Sequence, residues 1–157
     1  METGVNQRGF ISSHSPIGDD EHGHYWAAPE YYGMLAFAQA GTGRVVGCAI
    51  DAGDRNIKAY ATQPSKDRVV LTLINKQPSS DVMIVIGTGA SSPFRKGSLI
   101  WLSGPALESK SDVTLGAKGA SAAGSWKPER IEDVISTGKK MQVHVPAATA
   151  AVLTLRA

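Results

Sequence analysis

The chain holds a single cysteine, Cys48, which excludes an intrachain disulfide framework and a Cys-x-x-Cys metal knuckle. It also lacks excess charge of either sign, since 16 Lys+Arg against 14 Asp+Glu leave a formal +2. A nucleic-acid partner usually needs a concentrated basic face, and none is written here. No apolar run reaches the roughly 18 residues of a membrane-spanning helix, so the sequence predicts no membrane partner. At 157 residues the chain is too short for a complete barrel enzyme, which needs about 250. Met1-Glu2-Thr3-Gly4-Val5-Asn6 offers neither the basic opening nor the apolar core of a secretion signal. The chain as it stands is therefore expected to be cytoplasmic, or else the tail of a longer product whose signal lies upstream.

What is present is an ordinary folding composition, 42% hydrophobic and 19% charged, sufficient for one core. Two compositional parts are expected: an N-terminal segment over 1–42 and a β-domain over 43–157. The first is turn-rich up to about Asp20 and then polar through His24. It closes with a predicted helix over Pro29–Ala40. Pro29 suits the first turn, Glu30 complements the helix dipole and Gly41 fits the stop. Tyr31, Met34, Leu35 and Ala38 follow the i, i+3, i+4, i+7 rule and predict the buried stripe, widened by Tyr32 and Phe37.

Beyond Gly41 the period falls to two. Arg44–Ile50, Ile57–Thr62, Arg68–Asn75, Val82–Gly87, Ser98–Leu102, Val113–Leu115, Lys139–Val145 and Ala150–Arg156 read as strands between polar turns. Met141, Val143 and Val145 alternate with Lys140, Gln142 and His144, predicting one buried and one wet face. Leu71 and Leu73 oppose Val70, Thr72 and Ile74, predicting a strand covered on both sides. The expected class is all-β: an antiparallel β-sandwich of about eight strands with one N-terminal α-helix.

Few residues carry a chemical signature. His22 and His24, beside Asp19, Asp20 and Glu21 and downstream of His14, are weak metal-ligand candidates, because no later Cys or His completes a set. The expected reading is a solvated loop with no metal and no cofactor. Two carboxylate groups, Asp51 with Asp54 and Glu129 with Glu132 and Asp133, fall at turns and strand edges, where charge serves solubility. No Gly-x-Ser-x-Gly elbow accompanies His144, and Cys48 reads as a small core residue. Aromatic rings are the remaining signal, since pyranose faces stack on them: Tyr25, Tyr32 and Trp126 are candidate sugar contacts, while Trp101 reads as core.

The segments Pro29-Glu30-Tyr31-Tyr32-Gly33-Met34-Leu35-Ala36-Phe37-Ala38 and Gly43-Arg44-Val45-Val46 resemble the last barrel helix of the heparanase and bacterial β-glucuronidase-like (family 79-like) glycoside hydrolases. Trp101 to Lys110, Val113-Thr114-Leu115-Gly116 and Gly124-Ser125-Trp126-Lys127-Pro128 resemble that family's C-terminal β-sandwich, and Gly4-Val5-Asn6 its final barrel strand. The resemblance implies a non-catalytic accessory domain, because the family's two catalytic glutamates lie on earlier barrel strands and no position here matches them. It implies sugar contacts at Asn6 and Gln7, within the loop Asn6-Gln7-Arg8-Gly9 after that strand. Without a barrel, the stripe Tyr31, Met34, Leu35 and Phe37 is expected to meet a barrel-domain partner or a second copy. A carbohydrate-binding module and a subunit of a split hydrolase are the alternatives.

Overall fold

The computed structural model describes residues 5–6, 15–20, 22–89, 92–121, 123–137 and 140–157. Its elements are β1 (Val5–Asn6), β2 (Ile17–Asp19), β3 (Tyr25–Ala27), α1 (Pro29–Ala40), β4 (Arg44–Val46), β5 (Ile57–Ser65) and β6 (Arg68–Asn75). They continue with β7 (Val82–Gly87), β8 (Lys96–Ser103), β9 (Thr114–Leu115), β10 (Glu132–Ile135), β11 (Lys140–Val145) and β12 (Thr149–Arg156). The fold is all-β with one helix, as expected.

A seven-stranded sheet in the order β10-β8-β12-β6-β5-β4, with β9 also on β8, carries the molecule. A two-stranded sheet of β7 and β11 covers part of one face, and α1 covers the other. A small sheet, β1-β2-β3, leads into the helix, with β1 parallel to β2. Every pairing within the seven-stranded and two-stranded sheets is antiparallel.

Strands β6, β12 and β8 carry apolar residues on both faces along their central stretches because both their faces are covered. Leu71, Leu153 and Leu99 stand in register across the three strands and face the small sheet. There they meet Met141, Val143 and Val145, the buried half of the β11 alternation. One residue along, Val70 and Val152 point the opposite way, into the helix layer with Leu115. Each fully buried leucine contributes about 1.5–3 kcal/mol by leaving water. The two-sided reading of Leu71 and Leu73 against Val70 therefore holds.

The helix forms over the expected residues but is rotated. Tyr32, Ala36 and Ala40 face the sheet, Tyr31 and Leu35 flank them, and Met34 and Phe37 are 56% and 75% exposed. The expected stripe of Tyr31, Met34, Leu35 and Ala38 is thus corrected. Small side chains at 36 and 40 let the helix axis approach the sheet closely, which a Met–Phe face does not. Two polar contacts fix the rotation: the Ala120 N–H donates to the Tyr32 hydroxyl at 3.1 Å, and the Thr62 hydroxyl donates to the Ala40 carbonyl at 2.5 Å. The second satisfies a carbonyl that the helix end leaves without an intrahelical partner. Gly41 stops the helix without a left-handed backbone (φ −80°). Its missing Cβ instead leaves room for the Phe37 ring, which a Cβ there would approach to 3.2 Å.

Three further differences concern strands. β4 ends at Val46, because Gly47 to Ala52 run out irregularly. β10 forms in a segment with only Val134 and Ile135 as strand formers, because the edge of β8 offers it hydrogen bonds. β2 and β3 pair around a turn whose Asp20 carboxylate accepts the N–H groups of His22 and His24.

Asn75, 1% exposed, holds the end of the sandwich together. Its amide donates to the carbonyls of Ser80, Val145 and Pro146 at 2.9, 3.1 and 3.0 Å. Its Oδ1 accepts the Gln77 N–H at 3.0 Å. One side chain thus joins the exit of β6, the entry to β7 and the β11–β12 turn. Asn75→Ala is expected to cost about 2–3 kcal/mol, because it leaves buried carbonyls without donors. Urea unfolding measures the loss, and a change within error of zero contradicts this role.

Candidate functional site

The sequence-chosen residues do not converge. Tyr25 is 55% exposed on β3, whereas Tyr32 is 6% exposed, packed edge-on against Tyr31 at 5.6 Å. Tyr32 therefore offers no free ring face to a sugar, which corrects that assignment. Trp126 is half-buried in the helix-side core, and its indole N–H donates to the carbonyls of Leu115 at 3.0 Å and Lys118 at 3.3 Å. Gln7 and the Asn6 side chain lie outside the described residues, as do His14 and Glu21.

His24 and Asp20 form a local pair, Nδ1 to Oδ2 at 2.6 Å, on an exposed turn. The His24 side-chain hydrogen bond, helped by the His22 and His24 backbone N–H groups, lowers the Asp20 pKa to about 2. Among the described residues no group of three or more His, Cys, Asp or Glu could hold a metal ion. Two of the five carboxylates considered for catalysis are ion-paired at the surface: Glu129 with Lys118 at 3.2 Å and Glu132 with Arg130 at 2.8 Å. His144 pairs with Asp81 at 3.1 Å, both half-exposed.

Two clefts stand out. One, of about 620 Å³, opens between Val46–Ala52 and β7 over an apolar floor that includes Ala61, Leu71 and Phe94. Cys48 lines it, and burial pushes its thiol pKa up, which keeps the poorly nucleophilic protonated form.

The other has about 600 Å³ and more varied chemistry. It arises from the chain path. β10 belongs to the large sheet, β11 to the small one, and the Thr137–Lys140 bridge joins them, so the strands diverge and leave a groove. Trp101 and Ser103 of β8 line it together with Glu132, Gln142, His144, Thr149 and Arg130. At its mouth Gly116 and Ala117 form a two-residue turn with φ +60° and +59°. A Cβ at Gly116 would also strike Pro128, so only glycine fits. Sequence reading missed this groove because it treated β10 as a turn and Trp101 as core alone. The only usable signal was Trp101 two residues before Ser103 on one strand face, which also describes many buried strands.

No protein-family model matches the sequence, and no curated protein matches it. Solved structures do match. An arabinofuranosidase aligns at 10% identity and TM-score 0.72, over 94% of this chain and 32% of that one. An arabinose-bound family 51 α-L-arabinofuranosidase aligns at 15% identity and TM-score 0.62, over 94% and 22%. A family 30 subfamily 8 xylanase from Clostridium acetobutylicum aligns at 15% identity and TM-score 0.55, over 82% and 28%. The chain thus has a fold found in glycoside hydrolases, and it spans under a third of each of these relatives. Two of these three come from families 51 and 30, so they support a glycoside-hydrolase-like fold and do not single out the heparanase-like family.

Two outcomes are expected. Trp126→Phe keeps the packing, loses both hydrogen bonds and lowers stability by about 1 kcal/mol, read by denaturant unfolding. The Asp20 carboxyl, followed by NMR, titrates near pH 2. In His24→Ala it returns toward its ordinary value of 3.8. Since the folded pKa lies below the unfolded one, the contribution is present above about pH 4 and fades as pH falls to about 2.

Proposed function

We propose that the chain is a non-catalytic accessory β-sandwich of a glycoside hydrolase, built to buttress a catalytic barrel. The carrying observation is the coverage: 94% of this chain lies on an arabinofuranosidase of which it covers 32%. A piece that size corresponds to one module of such an enzyme. The resemblance of Pro29–Ala38 and of Trp101–Lys110 to the heparanase-like hydrolases belongs to the same proposal and narrows the lineage of the proposed barrel. The face toward that barrel is the outer side of α1. Met34 and Phe37 stand exposed there, Tyr31 and Leu35 rise from the sheet interface beside them, and a lone surface helix has no use for such residues. Glu132 and Glu129, held in surface ion pairs, support a structural rather than hydrolytic role.

The test is a Met34→Lys/Phe37→Glu double variant. Both side chains are solvent-facing, so its melting temperature is expected to stay within about 2 °C of the parent. Purified gently from its native source, the parent chain is expected to carry a barrel with glycoside hydrolase activity, whether on the same polypeptide or a separate one. The variant is expected to lose a separate barrel, or to loosen a fused one to limited proteolysis. A parent chain found without any barrel, or a variant indistinguishable in both assays, contradicts the proposal. A self-associating chain, seen by sedimentation equilibrium, assigns the same helix face to a second copy instead.

A further inference from the structure

We propose that the groove between β10 and β11 is a binding site for a neutral glycan chain, separate from the helix face and independent of its docking.

Three observations carry this. The groove has a suitable size, about 600 Å³, within the range of about 300–1,000 Å³ for small-molecule sites. Its lining combines an aromatic ring with hydrogen-bonding groups of both kinds: Trp101 with the Ser103 hydroxyl, the Gln142 amide and the Glu132–Arg130 pair. A sugar has an apolar C–H face and a rim of hydroxyls that both donate and accept. It is matched by a ring beside an amide and a carboxylate–guanidinium pair. Finally, the Trp101 indole N–H meets no acceptor among the described residues. The Trp126 indole N–H, by contrast, is used twice within the fold. Of these two rings, Trp101 is the one with a donor left for a ligand.

Charge narrows the ligand class. Among the charged groups lining the groove, Arg130 is already paired with Glu132 at 2.8 Å, and Asp133 adds a second carboxylate. An acidic sugar or a phosphate would have to displace a carboxylate to reach Arg130. A neutral chain needs no such exchange, because its hydroxyls bridge an intact ion pair. A purely apolar ligand is disfavoured, because it would cover the Ser103 hydroxyl and the Gln142 amide without offering them partners. The groove is also open along the β10–β11 divergence, which suits a chain passing through rather than a capped monosaccharide.

The test uses the whole chain and five named probes: xylohexaose, cellohexaose, mannohexaose and arabinohexaose as neutral chains, and hexagalacturonate as the acidic one. Calorimetry reads affinity, and NMR follows the Trp101 indole N–H. Saturable binding of at least one neutral hexasaccharide is expected, with a shift of that N–H. Glu132→Ala/Gln142→Ala is expected to weaken binding roughly tenfold or more by removing groups of both kinds. Trp101→Phe, which keeps a ring and hence the packing, is expected to weaken it severalfold and spares the test from an unfolded Trp101→Ala. The Met34→Lys/Phe37→Glu variant is expected to bind as the parent does, which keeps this test distinct from that of barrel docking. No saturable binding of any neutral probe overturns the proposal, as does tighter binding of hexagalacturonate. Undiminished binding by Glu132→Ala/Gln142→Ala overturns the assignment to this groove.

Discussion

The structure depends on covering both faces of three neighbouring strands. β6, β12 and β8 carry Leu71, Leu153 and Leu99 on one side and Val70, Val152 and Ile100 on the other. A sheet so apolar is stable in water only between two layers. The small sheet of β7 and β11 supplies one layer and α1 the other, and neither spans the whole surface. Each feature of functional interest follows from that incomplete cover. The helix hides Tyr32, Ala36 and Ala40 and leaves Met34 and Phe37 outside. The small sheet parts from β10 and leaves a groove over Trp101.

The two surfaces differ in chemistry, and the difference separates their roles. The outer helix face is apolar, suited to burial against another protein layer. The groove mixes a ring with the Arg130–Glu132 ion pair, the Asp133 carboxylate and neutral hydrogen-bonding groups. Its guanidinium is already paired, while its amide, hydroxyl and carboxylates leave many directional contacts for a neutral polar chain. The two proposals are compatible, because the dry helix face and the wet groove lie on different layers of the fold.

Much of the fold was legible because its signals are local. The Pro29–Ala40 helix bounds, the exact spans of β6 and β7, and the alternation of Met141, Val143 and Val145 all follow from period and turn chemistry. The errors were tertiary. Which face of α1 turns inward is decided by how closely Ala36 and Ala40 approach Val70 and Val152, and a hydrophobicity pattern does not contain that distance. β10 exists because β8 has a free edge, a fact about pairing rather than about Glu132–Ile135. The groove was illegible for the same reason: Trp101 and Gln142 lie on strands of different sheets, brought together by where the chain changes layer. Tyr32 misled because aromatic density in sequence says nothing of which rings the core consumes.

The position of β12 has a consequence for the order in which the molecule assembles during synthesis. Thr149–Arg156 is the last of the described strands to leave the ribosome, yet it lies at the centre of the large sheet, bonded to β6 on one edge and β8 on the other. Until it arrives, β6 and β8 have no common neighbour, and their leucines have no row to complete. The hairpin of β5 and β6 can form early, because its residues are near in sequence. The sandwich cannot close until translation has passed Arg156, so until then the emerging strands carry open apolar edges. That interval, more than the finished fold, is where this chain needs protection from its neighbours in the cell.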